Sequence, residues 1–119
     1  MSFEAELQSV VDRVDGAQAA ALMGFDGIPV AEAKAEGVRV PYQEIGVEFS
    51  RVLKEASKAT LGTEVGGLHE MVLSTDKNQF LLRVLNDEYF LFLMLSPKAN
   101  AGQGRYYLRR AAPRICQEL

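Results

Sequence analysis

The run Tyr89-Phe90-Leu91-Phe92-Leu93-Met94-Leu95 constrains this chain more than any other segment. Seven consecutive apolar residues are too few to cross a bilayer, which takes about 20. They are also too uniform for a half-exposed strand, which alternates apolar and polar positions. A strand apolar on both sides belongs in a sheet covered on both faces, so helices are expected above and below it. The residues around it supply that sheet. Leu68 to Thr75, Gln79 to Leu85 and Glu88 to Ser96 read as three strands joined by Asp76-Lys77-Asn78 and Asn86-Asp87, connections short enough for an antiparallel meander. In the middle run Phe80, Leu82 and Val84 share one face.

The first half repeats the logic on a smaller scale. Ala17 to Gly24 is a run of small apolar residues that alone would suit a helix. It leads into Asp26-Gly27, a strong hairpin signal, and Ile28 to Ala33 reads as the returning strand, with Pro29 confined to a strand end or edge. Helical periodicity marks three further segments. Ser2 to Val14 places Phe3, Leu7, Val10, Val11 and Val14 on one side, with Ser2 as cap and Gly16 beyond the end. After a break at Gly37 to Pro41, Pro41 to Leu61 carries Ile45, Phe49, Val52, Leu53, Ala56 and Thr60 as its stripe, with Pro41 in the first turn and Gly62 at the end. Pro97 to Gly104 reads as a glycine-containing loop. Arg105 to Leu119 then places Leu108, Ala111, Ala112, Ile115 and Leu119 together, with Pro113 expected to weaken or kink the helix near Arg109. The predicted order is α-β-β-α-β-β-β-α, an α/β (α+β) domain filling residues 1–119 without repeats or linkers.

Composition restricts function more than fold. With 48% hydrophobic and 24% charged residues the chain is ordinary globular material. A formal net charge of -3 argues against general affinity for nucleic acid or anionic lipid. One cysteine, Cys116, precludes an intrachain disulfide and reads as a buried structural thiol, while the opening residues show no signal-peptide pattern, so a cytoplasmic location is expected. The single histidine, His69, reads as an edge or partly buried side chain and excludes a histidine-rich metal site. Gly62-Thr63-Glu64-Val65-Gly66-Gly67 and Gly102-Gln103-Gly104 lack both the phosphate-loop ending in Lys-Ser/Thr and the dinucleotide fingerprint. No cofactor is expected, and the usual catalytic groupings are missing. Arg105, Arg109, Arg110 and Arg114 are read as a solvated or ion-paired helix face in preference to a source of an inserted arginine.

Three stretches, in this order, resemble the roadblock/dynein light-chain (roadblock/LC7) superfamily, in its bacterial stand-alone form. They are Asp12-Arg13-Val14-Asp15-Gly16-Ala17 after the opening helix, the hairpin Met23-Gly24-Phe25-Asp26-Gly27-Ile28-Pro29-Val30, and Asn100 to Ala112 with its Arg-Tyr-x-Leu-Arg-Arg-Ala core. The resemblance covers nearly the whole chain. It implies a profilin-like five-stranded antiparallel sheet, the long middle helix on one face and the terminal helices on the other. It further implies a homodimer built by edge-to-edge pairing of middle strands and packing of the two long helices, and a non-catalytic role as regulator or scaffold of a small Ras-like GTPase. A structural adaptor, light-chain-like and blind to nucleotide state, is the alternative, and a small-molecule sensor a third. The interface expected on this basis comprises Glu44, Glu48, Arg51, Glu55 and Lys58 of the long helix with Leu68, Glu70 and Val72 of the edge strand. The chain departs from the family in lacking a long or strongly charged C-terminal tail, which places any contact made by such tails in doubt.

Overall fold

The structure, a computed structural model, describes residues 2–119 and has the predicted element order. Helix α1 (Phe3–Arg13) is capped by Ser2, whose hydroxyl accepts from the Ala5 amide at 3.0 Å. Strands β1 (Ala17–Gly24) and β2 (Pro29–Lys34) form the first hairpin. Gly27 turns with φ +86°, and the Asp26 carboxylate accepts from the Ile28 amide at 3.0 Å, so the Asp-Gly signal acts as its chemistry requires. Helix α2 (Tyr42–Gly62) follows, then β3 (Glu70–Ser74), β4 (Gln79–Val84), β5 (Tyr89–Leu95) and helix α3 (Ala101–Cys116).

All strands join one antiparallel sheet in the order β2-β1-β5-β4-β3. The uniformly apolar β5 is therefore central, and its alternate residues enter two cores. Leu91, Leu93 and Leu95 meet α1 and α3, together with Leu7, Val10, Leu108 and Ile115. Phe90, Phe92 and Met94 meet Leu53 of α2 on the other face. Covering on both faces, expected from the run itself, is what the fold provides. The alanines of β1 divide likewise, Ala20 to the first core and Ala19 and Ala21 to the second. No helix among the described residues is long and apolar enough to cross a membrane.

Four expectations need correction. Helix α3 starts at Ala101, not Arg105: Asn100 caps it by accepting from the Gln103 amide at 3.0 Å, and the presumed loop glycines lie inside the helix. The helix ends at Cys116, so Leu119 falls outside it and is 42% exposed. Cys116 is exposed, because Ile115 takes the core position and the next residue is carried about 100° around the helix. Val52 lies on the outer side of α2, 39% exposed, while Gly46 and Ser50 take the buried positions beside Leu53. Smaller shifts concern the ends of elements. Pro41 sits at the cap rather than in the first turn, and β3 begins at Glu70 rather than Leu68, leaving His69 exposed just before it.

Candidate partner interface

The sheet separates the residues expected to form one interface. Glu44, Glu48, Arg51, Glu55 and Lys58 all lie on the outward side of α2, away from its buried positions. Glu48 pairs with Arg51 at 3.2 Å and Glu55 with Lys58 at 3.4 Å, one helical turn apart and open to water, where such pairs contribute little. With Val52 and Lys54 they line a shallow depression on the outer side of the helix. Leu68 is half-buried against the α2-side core. Glu70 and Val72, by contrast, point to the α3 face, because alternate residues of a strand take opposite sides. The β3 residues that face α2 are Met71 and Leu73, which the expectation omitted. Period-two reading of β3 beside Phe80, Leu82 and Val84 would have found them.

The two edges of the sheet are unlike. On one edge, β2 opens with Pro29 and exposes Glu32 and Lys34, devices that discourage pairing with another strand. On the other edge, β3 reads Glu-Met-Val-Leu-Ser, with neither proline nor lysine. On the α2 side its Met71 and Leu73, with the neighbouring Phe80 of β4, are only partly buried. Phe80 packs edge-on against Phe49 of α2 at 4.9 Å between ring centres. C-terminal to Leu53, no α2 residue is fully buried, and Leu61 is 63% exposed. The half of the molecule around β3 and the end of α2 is thus incompletely covered.

Glu70 is anchored within the chain. Its cross-strand neighbour Arg83 donates to one carboxylate oxygen at 3.0 Å, and Arg105 and Arg109 of α3 reach it at 2.9 Å. Arg109's hydrogen bond, against the opposing effect of burial and with help from Arg105, holds the carboxyl at about 2 instead of its ordinary 4.5. A depressed carboxylate stabilises the fold above the ordinary value and loses that contribution as the folded form is protonated. Stability supplied by Glu70 should therefore be full above about pH 4.5 and fall towards pH 2. Glu70→Gln should cost about 1–2 kcal/mol near neutrality, discounted for the half-exposed guanidinium groups, since it leaves three arginines facing one another. Urea titrations across that pH range check it. The variant should show a flatter acid limb, and an acid limb parallel to that of the parent would contradict the assignment.

The four arginines of α3 all find partners inside the chain. Beyond the Glu70 pair, Arg110 lies over the Tyr106 ring at 5.6 Å and Arg114 approaches Glu6 at 3.7 Å. A cavity of about 10 Å³ lies between β3, β4 and α3, room for about one water.

No protein-family model matches the chain, and no curated protein matches it in sequence. Solved structures do. MglC from Myxococcus xanthus is 35% identical, with 100% of each chain covered and a TM-score of 0.73. A Roadblock/LC7 domain from Streptomyces avermitilis is 14% identical over 97% of this chain and 95% of that one, at a TM-score of 0.85. The gliding protein MglB from Thermus thermophilus is 18% identical over 97% of this chain and 88% of that one, at a TM-score of 0.83. The last two likenesses speak for the fold, and the first extends it to sequence over the full length. Together with the element order and the sheet topology, they place this chain in the roadblock/LC7 superfamily.

Proposed function

We propose that this chain is a non-catalytic, homodimeric regulator or scaffold that binds a small Ras-like GTPase in the cytoplasm. The contrast between the two sheet edges carries the reading. An unprotected strand edge invites a partner strand, and pairing with its own copy closes it in twofold symmetry. Such pairing through β3 brings Met71, Leu73 and Phe80 of both protomers together and gives the uncovered end of α2 a second helix to pack on. The outer faces of the two α2 helices, each with Val52 framed by Glu48, Arg51 and Glu55, then form one broad surface for the GTPase. The likeness to MglC and to a gliding protein favours a bacterial motility or polarity pathway.

Sedimentation of the full chain at micromolar concentration should give a dimer, and immobilised protein should retain GTP-loaded GTPase in preference to the GDP-loaded form. A stable monomer removes the platform. Equal retention of both nucleotide forms transfers the protein to the alternative role of structural adaptor.

A further inference from the structure

We propose that the outer surface of α3, with the flanking parts of α1 and β3, docks an acidic segment of a partner protein. Its carboxylates would meet arginines, and one apolar side chain would cover Val72. This surface lies on the opposite side of the sheet from α2, so the inference does not depend on the GTPase reading.

Arginine is concentrated on one side of this chain. Of its eight arginines, six (Arg13, Arg83, Arg105, Arg109, Arg110 and Arg114) lie on this one side. The carboxylates paired with them are Glu6 and Glu70. Around the two small cavities that these residues line, six arginines against two carboxylates give a chain of net charge -3 a local excess of positive charge, held there entirely as arginine. Guanidinium suits carboxylates through its forked donors, whereas lysine offers only a compact charge.

Glu70 shows what the surface recognises. Its two oxygens accept five N–H donations from three arginines, more than the roughly four lone-pair positions a carboxylate offers. Arg105 and Arg109 each spend two of five donors on it, and their side chains remain 45% and 54% exposed. The remaining donors are available to a second carboxylate. Arg110 and Arg13 have no carboxylate partner among the described residues. They rest instead on the rings of Tyr106 and Tyr107 at 5.6 and 5.9 Å, which orients the guanidinium groups before any ligand arrives. Tyr106 is 53% exposed, and Val72, which borders the same small cavity as Arg105 and Arg109, is 49% exposed. Arginine and tyrosine are among the residues that carry most binding energy at protein interfaces. Charge complementarity makes the occupant acidic, and Val72 asks it for an apolar residue.

Fluorescence anisotropy with the full chain tests this, using a fluorescein-labelled peptide of alternating glutamate and leucine. Its counterpart with glutamine for glutamate is the control. The acidic peptide should bind with a Kd of about 100 µM or tighter at about 0.1 M salt, and more weakly as salt is added. The glutamine peptide should not bind. The double variant Arg13→Ala with Arg110→Ala leaves the Glu70 cluster intact and should weaken binding by about tenfold. Arg105→Lys with Arg109→Lys keeps the charge but loses the forks, and should weaken it too. Absence of binding, equal binding of both peptides, or undiminished binding by the alanine variant overturns the proposal. So does preferential binding of phosphatidylserine vesicles or displacement of the peptide by inorganic phosphate at matched concentration.

Discussion

Gly104→Val should destabilise the fold by about 1–3 kcal/mol, the ordinary cost of overpacking a filled core. Gly104 is buried in the first turn of α3, and a Cβ there would lie 2.9 Å from Leu81 Cδ1, 3.2 Å from Leu93 Cδ2 and 3.4 Å from Leu95 Cδ1. Those leucines are 2%, 0% and 0% exposed, so none can swing into water to make room. A branched side chain must displace the sheet or lift the helix. The glycine is thus where α3 lies closest on β4 and β5, and it fixes the height of the helix above the sheet. Helix propensity works the other way: alanine gains about 1 kcal/mol over glycine in a helix interior, so Gly104→Ala should lie much nearer to the parent. Urea denaturation of the three proteins checks the order. If the valine variant matches the alanine one, close approach is not the reason for the glycine.

The same position shows where sequence reasoning stops. Two glycines within four residues of an asparagine look like a loop, because glycine is poor in helices and both residue types favour turns. What places Gly104 in a helix is contact with leucines from two strands, which no local pattern contains. A local signal for the helix start did exist, since Asn100 stands where an N-cap belongs, three residues before Gln103. The sheet was readable for the opposite reason. Its evidence is local: β5 apolar on both faces, short polar connections between β3, β4 and β5, and Asp26-Gly27 between β1 and β2. The candidate site was readable only in part. The exposed charges of α2 fall where helical periodicity puts them. Glu70 meets Arg105 and Arg109 from 35 and 39 residues away, a juxtaposition created by the fold alone. Its spacing with Val72 did carry information, since residues two apart share a strand face, and that face is the α3 side.

Leu73→Lys should convert the proposed dimer to a monomer while leaving the protomer folded. Leu73 lies on the edge strand, half-buried on the α2 side, opposite Phe80 of β4. Within one protomer a lysine there can run its methylene stem over the apolar row and keep its ammonium in water, so the cost to folding is small. In a twofold edge-to-edge pairing, two such lysines are brought close together and their ammonium groups lose that water. An inward-pointing charge on an edge strand is a means by which natural sheets prevent this kind of association. Loss of a central apolar contact with a buried like charge in its place should weaken self-association by about 30-fold or more, equivalent to about 2 kcal/mol. Val30→Lys is the matched control: Val30 is 43% exposed on β2, the edge already guarded by Pro29, Glu32 and Lys34. Sedimentation across a concentration series separates the cases. The parent and Val30→Lys should sediment as dimers where Leu73→Lys is a monomer with an unchanged circular dichroism spectrum. If Leu73→Lys remains dimeric, the interface lies away from β3. If binding of the GTPase survives in a proven monomer, one α2 face is sufficient and the paired-helix platform is not what the GTPase recognises.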